Sequence, residues 1–139
     1  MDNRLHIGIV VPVYQEEKNI FPLYHRLESA LKNIAGIQWE YVFVNDGSRD
    51  GTFQTLSALA EKDPKVKVID LTRNFGKEIA LTAGLHSVGA DAVNCIDADL
   101  QHPPELIPSM IEAWRQGAEV VTAVRTGVES QPLLRRLGS

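Results

Sequence analysis

A length of 139 residues suits one domain with a hydrophobic core of its own. Hydrophobic residues make up 44% and charged residues 23%, as in ordinary globular proteins, and a net charge of −4 gives no overall positive field that would attract nucleic acid. No apolar run approaches the ~18–20 residues that cross a bilayer, and no signal peptide is evident, so we expect a soluble chain.

The first elements follow the order strand, helix, strand. His6–Val13 is a continuous apolar run of strand length, and the apolar residues after it recur at helical spacing as far as Ile34. Asn19 can cap the start of this helix and Gly36 can end it, before a second apolar strand at Tyr41–Asn45.

The same alternation continues along the chain. In order, the remaining predicted elements are a helix from 50–52 to Pro64, a strand at Val66–Leu71, a helix at Lys77–Val88, a strand at Ala92–Ile96, a helix from Pro103 to Gly117 and a strand at Val120–Val124. Uniformly apolar strands are typical of a parallel sheet buried on both faces. We therefore predict an α/β fold, a mostly parallel, Rossmann-like sheet with helices on both faces. Cys95, in the fourth of these strands, is expected to be a small buried hydrophobic residue.

Polar clusters follow three of the predicted strands, at Pro12–Glu17, Asn45–Thr52 and Asp97–Gln101. The carboxyl ends of parallel strands meet at one edge of the sheet, which is the usual ligand site of such folds. Each cluster alone also has a structural interpretation, because Asp-Gly-Ser and Asp-Gly-Thr make good turns and caps. Because all three clusters are expected at one edge of the sheet, we favour a ligand-binding site over three unrelated turns.

The two carboxylates of Asp97 and Asp99 are suitable ligands for a hard divalent cation. Mg²⁺ is usually shared between one or two carboxylates and substrate phosphates, which points to a phosphorylated substrate. The alternative is a solvated, Asp-rich turn that caps the next helix. No Gly-x-Gly-x-x-Gly motif follows the first strand and no Walker-type loop is present, which disfavours a dinucleotide oxidoreductase or a P-loop NTPase.

Four motifs in series carry a resemblance to a known family. They are Val11–Glu17, Val44–Thr52, Arg73–Lys77 and Asp97–Glu105, within about residues 6–125. In this order they resemble family 2 glycosyltransferases, in particular the polyprenyl-phosphate branch with dolichyl-phosphate mannose synthase-like and bactoprenol glucosyltransferase-like enzymes. The resemblance implies that residues 1–125 are the nucleotide-sugar-binding part of a GT-A-type glycosyltransferase domain.

The resemblance also implies roles for individual residues. It implies that the base and ribose of the sugar donor bind at Pro12, Tyr14, Glu16 and Asp46. It also implies that Asp97, Asp99 and Gln101 bind a Mg²⁺ or Mn²⁺ ion, and that Asp97 and Asp99 are catalytic residues. Lys77 would face the diphosphate or the sugar, although a solvated lysine at a strand-to-helix turn is an equally good interpretation.

The implied reaction is the metal-dependent, inverting transfer of a sugar from a nucleoside-diphosphate sugar to a polyprenyl (undecaprenyl or dolichyl) phosphate. The acceptor phosphate is already anionic near neutral pH and needs little help from a general base. The departing diphosphate needs more stabilisation than the acceptor does, and a metal ion can stabilise its growing negative charge.

The last residues depart from the family pattern, because family members continue with more catalytic domain and then membrane-associated helices. Residues 126–139 are expected to be a tail or the start of a truncated C-terminal part. Leu133–Leu137 suggests the opening of an amphipathic helix, and a frayed end is the alternative. A longer protein would then contact the membrane from its cytoplasmic side through regions outside this chain.

Other functions stay open at this point. The chain could bind nucleotide sugar without catalysis, as a fragment that lacks the acceptor side. A metal-dependent phosphohydrolase with an Asp-x-Asp pair is a second alternative, although that pair usually follows the first strand and here follows the fourth. A pure interaction domain is a third.

Overall fold

The computed structural model describes residues 4–99, 103–117, 120–126 and 131–137, and a four-stranded parallel sheet forms its centre. The strands of this sheet are β1 (Leu5–Val13), β2 (Ile37–Asn45), β3 (Val66–Asp70) and β4 (Ala92–Cys95). The helices are α1 (Ile20–Leu31), α2 (Thr52–Lys62), α3 (Lys77–Ser87) and α4 (Ile107–Arg115), with a 3₁₀ turn at Pro104–Leu106 before α4. The predicted alternation of strands and helices is confirmed over these elements.

The strands lie in the order β3-β2-β1-β4, and every pairing between them is parallel. The chain places β2 and β3 on one side of β1 and then crosses to place β4 on the other side. The strand order therefore reverses between β1 and β4. Loops that leave the carboxyl ends of these two strands diverge there, which opens a crevice in folds of this class.

The two faces of the sheet carry separate cores, because successive side chains of a strand point to opposite faces. Ile9, Val11 and Phe43 lie on one face, in the buried cluster that includes residues of α1, α2 and α4. Val10 and Val44 lie on the other face, beneath α3. The prediction of helices on both faces is thus confirmed. No helix in the described part of the chain is long and apolar enough to span a membrane.

At the C-terminal end the strand predicted at Val120–Val124 is confirmed, and the helix or frayed end suggested at Leu133–Leu137 is wrong. β5 (Val120–Thr126) is outside the four-stranded sheet and pairs with β6 (Gln131–Leu137) in a separate antiparallel ribbon. Residues expected to open a helix or to fray therefore form a strand. The physical reason is the ladder from Val120↔Leu137 to Thr126↔Gln131, which supplies backbone partners that a short Leu/Arg pattern does not reveal.

The expectation of a buried Cys95 is also wrong, since its side chain is exposed. β4 is at the edge of the sheet, and Cys95 shares a strand face with Val93, which is 39% exposed. The helix on this side, α3, packs on β1 and β2. An apolar strand pattern alone does not distinguish an edge strand from a central one.

A polar network ties α1 to the sheet at the side away from the crevice. The Glu28 carboxylate accepts hydrogen bonds from the Tyr41 hydroxyl (2.8 Å) and the Lys65 ammonium (3.0 Å). Next to it, the Asp63 carboxylate accepts from the Tyr24 hydroxyl and the Lys65 backbone N–H. Burial alone would raise the pKa of Asp63, but these hydrogen bonds and the charge of Lys65 outweigh it and lower the pKa.

This lowered pKa predicts a component of acid unfolding. The Asp63 carboxylate stabilises the fold fully above about pH 4, the pKa region of an unfolded Asp, and this contribution is lost as pH falls through the lower folded pKa. We expect Asp63→Asn to lower the free energy of unfolding by about 1–2 kcal/mol at pH 7 and by much less at pH 2. Urea denaturation at both pH values measures this, with Glu61→Gln, an exposed carboxylate of α2, as the control. An equal loss at both pH values would contradict the assignment.

Candidate functional site

A cleft of about 310 Å³ opens at the carboxyl edge of the sheet, where the strand order reverses. Its lining residues come from the carboxyl ends of the four parallel strands and from the segments that follow them: Pro12 and Val13 at the end of β1, Tyr14 and Glu16 after it, Asp46 after β2, Asn74, Gly76 and Lys77 between β3 and the start of α3, and Asp97, Ala98 and Asp99 after β4. The cleft thus has the position that a parallel sheet gives to a ligand site.

The structure brings together the site residues predicted within its described part. The residues predicted for the base and ribose (Pro12, Tyr14, Glu16 and Asp46), for the diphosphate or sugar (Lys77) and for the metal (Asp97 and Asp99) all line this one cleft. Gln101, the remaining predicted metal ligand, lies outside the described residues.

The loop after β1 is fixed by hydroxyl groups of the loop after β2. Gln15 has a positive φ of 52°, and its N–H donates to the Ser48 hydroxyl (2.8 Å). The N–H of Glu16 donates to the hydroxyl of Thr52 (3.0 Å), which is fully buried. These bonds stabilise a backbone conformation that costs energy in a residue other than glycine. They leave the ring of Tyr14, which is 43% exposed, at the cleft.

Asp46 holds the loop after β3 in place. Its carboxylate is nearly buried and accepts hydrogen bonds from the N–H groups of Phe75 (2.8 Å) and Gly76 (3.0 Å) and from the Asn74 side chain (3.3 Å). Two backbone N–H groups that converge on one carboxylate form a charge-assisted pair of bonds, stronger than neutral ones. The Asp46 carboxylate therefore sets the position from which α3 and Lys77 begin.

Gly47 allows the loop after β2 to contact the loop after β3 closely. Its φ is +69°, and a Cβ atom added to it would lie 2.3 Å from the backbone carbonyl carbon of Arg73 and 2.3 Å from the backbone nitrogen of Asn74. The two loops therefore rest directly on each other, backbone against backbone. Only glycine gives both this close approach and this dihedral angle without strain.

Lys77 and Asp97 form an ion pair inside the cleft. The Lys77 ammonium lies 2.7 Å from Oδ1 and 2.8 Å from Oδ2 of Asp97, so one cation is shared by both carboxylate oxygens. The Lys77 side chain is 58% exposed and that of Asp97 is 26% exposed. Lys77 is also the first residue of α3, and the N-terminus of a helix carries partial positive charge. The positive groups at the cleft are thus concentrated at this helix start.

The cleft is otherwise acidic. Its described lining includes four carboxylates, on Glu16, Asp46, Asp97 and Asp99, and a single ammonium, on Lys77. A diphosphate would be repelled by this set unless a further cation accompanied it. No group of three or more His, Cys, Asp or Glu side chains within the described residues could hold a metal by itself. The oxygen ligands of Asp97 and Asp99 suit a hard divalent cation whose coordination substrate phosphates complete.

Sequence reasoning missed residues that hold the loops of the cleft in position. Ser48 and Thr52 fix the loop after β1, and Gly47 and Asn74 hold the loop after β3 against the loop after β2. All four belong to the motifs that carry the family resemblance, so their membership in those motifs was a signal. Their contacts join loops that are distant along the chain, and a single sequence does not reveal such contacts.

Comparison with known proteins gives consistent results. A sequence model described as Glycosyl transferase family 2 matches residues 8–139. The chain is 45% identical, over 98% of its length, to the uncharacterized glycosyltransferase YkcC of Bacillus subtilis, and 43% identical, over 95%, to the prophage bactoprenol glucosyl transferase homolog of Escherichia coli. It spans only 42% and 43% of the lengths of these two relatives.

The fold also matches a solved structure. The mannosyltransferase PcManGT from Pyrobaculum calidifontis, in complex with GDP-Man and Mn²⁺, superimposes with a TM-score of 0.73 at 23% identity. The match covers 88% of this chain and 36% of that one. At this identity the likeness establishes a shared fold.

Proposed function

This chain belongs to glycosyl transferase family 2, and on that premise we propose that it serves the metal-dependent, inverting transfer of a sugar from a nucleoside-diphosphate sugar to a polyprenyl phosphate. Residues 1–125 would form the nucleotide-sugar-binding part of the enzyme, and residues 126–139 would begin its C-terminal part. The observation that carries the proposal is the acidic cleft at the point of strand reversal, with Asp97 and Asp99 beside Lys77.

The side chains of the cleft divide into two groups by chemistry. Tyr14 and Pro12 offer ring surfaces on which a nucleobase can rest, and the Glu16 carboxylate can accept hydrogen bonds from ribose hydroxyls. Asp46 lines the same part of the cleft and fixes the loop that carries Lys77. The donor would therefore lie with its nucleoside toward β1 and β2 and its diphosphate toward α3 and β4.

The diphosphate end of the cleft needs a second cation. Asp97 and Asp99 would hold Mg²⁺ or Mn²⁺ there, with Gln101 as a third candidate ligand. When bound, this ion supplies Lewis acidity that stabilises the charge of the departing nucleoside diphosphate. Lys77 and the start of α3 would add their positive charge to the same phosphates. The Mn²⁺ and GDP-Man bound to PcManGT, which shares the fold, support this use of a metal.

The acceptor would attack the anomeric carbon from the side opposite the diphosphate. An oxygen of the polyprenyl phosphate forms the new bond as the bond to the diphosphate breaks, so the configuration inverts and no covalent enzyme intermediate forms. The phosphate oxygen is already deprotonated, so a general base is unnecessary. The bactoprenol glucosyl transferase homolog named above supports this class of acceptor. Because the acceptor is a membrane lipid, we also propose that the full-length protein acts at the cytoplasmic side of a membrane.

Incubation with undecaprenyl phosphate in detergent, a panel of UDP- and GDP-sugars and Mn²⁺ tests the proposal. The expected product is a sugar joined to the lipid phosphate, with release of UDP or GDP. Transfer is expected to disappear in Asp99→Ala. Metal-dependent nucleotide binding without transfer would favour the alternative of a nucleotide-sugar-binding fragment, and release of phosphate from an aryl phosphate would favour a phosphohydrolase.

A further inference from the structure

The ion pair between Lys77 and Asp97 has a consequence for how the metal and the donor bind. We propose that Lys77 is an exchangeable counter-ion, which neutralises Asp97 in the empty cleft and moves to the donor phosphates when a divalent cation takes Asp97. The inference rests on the proposed function, since it adds an order of events to the same site. Before the sugar donor binds, Lys77 would be a positioning residue. Afterwards it would bind the phosphates of the sugar donor.

The ammonium of Lys77 and a metal ion compete for the carboxylate of Asp97. The Lys77 ammonium lies within hydrogen-bond distance of both Asp97 oxygens, at 2.7 and 2.8 Å. A Mg²⁺ ligand atom lies about 2.0–2.1 Å from the ion, so a metal on either oxygen would lie only a few ångströms from the ammonium. Repulsion between the two cations is strong at that distance. Metal binding to Asp97 therefore weakens the ion pair and favours movement of Lys77 away from this carboxylate.

Lys77 can leave the Asp97 carboxylate without any change in the backbone. Its main chain is fixed, because Gly76 donates its N–H to the buried Asp46 carboxylate and α3 begins immediately afterwards. Its side chain is 58% exposed and has a flexible four-carbon stem. The exchange needs only rotation about side-chain bonds, from the carboxylate of Asp97 toward the centre of the cleft.

The energy of this exchange depends on whether a nucleotide is present. A metal ion that binds alone breaks the ion pair and takes from the ammonium the carboxylate with which it pairs in the empty cleft. A metal ion that binds with a nucleoside diphosphate gives the ammonium a new partner, the phosphates. Metal and nucleotide therefore bind cooperatively, and by thermodynamic linkage each raises the affinity for the other by the same factor. Lys77 would thus discourage the metal from occupying the cleft without a donor.

Mn²⁺ titrations followed by electron paramagnetic resonance of the free ion test this inference. We expect Lys77→Met to bind Mn²⁺ alone at least about five-fold more tightly than the unmodified chain, because no ammonium competes. UDP or GDP, whichever binds, should bind this variant at least about five-fold more weakly at saturating Mn²⁺. Lys77→Arg keeps the charge and should retain weak binding of Mn²⁺ alone. Lys62→Met, which removes a lysine at the end of α2, is the matched control and should change neither affinity.

Tighter Mn²⁺ binding together with weaker nucleotide binding in Lys77→Met supports the inference. Unchanged or weaker Mn²⁺ binding in that variant overturns it, as does a lack of Mn²⁺ binding by both proteins. Asp99→Ala in the same titrations separates this result from the proposed function. If Asp99→Ala loses Mn²⁺ while Lys77→Met binds it as the unmodified chain does, the metal site stands and the counter-ion role fails.

Discussion

Replacing Gly47 with alanine is expected to lower nucleotide affinity by at least about tenfold, because the loop that carries Lys77 can no longer rest on residue 47. The new Cβ would lie 2.3 Å from backbone atoms of Arg73 and Asn74, which are not the far ends of flexible side chains. The φ of +69° adds strain of about 1–2 kcal/mol for a residue other than glycine. We expect the free energy of unfolding to fall by about 2–4 kcal/mol in total.

Calorimetric titration with nucleotide and urea denaturation measure the two effects of Gly47→Ala. Gly89→Ala is the matched control, because a Cβ atom at that position meets no atom within 4 Å and no positive φ is present. It should leave both quantities unchanged within about 0.5 kcal/mol. If Gly47→Ala binds nucleotide as well as Gly89→Ala does, the close contact between the loops does not shape the donor site.

Asp46→Asn is expected to lower the free energy of unfolding by about 2–4 kcal/mol and to weaken nucleotide binding. The N–H groups of Phe75 and Gly76 donate to different oxygens of the Asp46 carboxylate. An amide has one acceptor oxygen, so one of these N–H groups would face an NH₂ group instead. The loop that positions Lys77 would then lose a charge-assisted bond and gain a repulsive contact.

Asp70→Asn provides the matched control for Asp46→Asn. The Asp70 carboxylate also lies at the end of a strand, but a single oxygen of it accepts one hydrogen bond, from the Asn45 side chain (2.9 Å), and the residue is exposed. The oxygen of an amide can keep this bond. We expect Asp70→Asn to change the free energy of unfolding by less than about 1 kcal/mol, and an equal loss in both variants would refute the anchoring role of Asp46.

The sequence was sufficient for the sheet because the forces that form it are local and periodic. Uniform runs such as His6–Val13 place apolar side chains on both faces of a strand, and Val10 and Val11 indeed lie in different cores. Parallel strands bring their carboxyl ends to one edge, so Tyr14, Asp46 and Asp97 were predicted to share a cleft and do line one. Both predictions follow from geometry that every parallel sheet obeys.

The sequence was insufficient where the outcome depends on contacts between distant segments. The exposure of Cys95 follows from the position of β4 at the sheet edge, which periodicity does not encode. The strand at Gln131–Leu137 depends on its pairing with Val120–Thr126. The contacts of Asp46 with residues 74–76 join loops 28 to 30 residues apart, and no local pattern specifies them.

Calorimetric titration of UDP and GDP into the chain with and without Mn²⁺, repeated on Asp99→Ala, directly tests whether the aspartates after β4 hold a cation. We expect one nucleotide to bind in a Mn²⁺-dependent manner. We also expect Asp99→Ala to weaken this binding at least about tenfold, or about 1.4 kcal/mol. Equal nucleotide affinity with and without Mn²⁺ would contradict the claim that the aspartates after β4 hold the cation that neutralises the donor diphosphate.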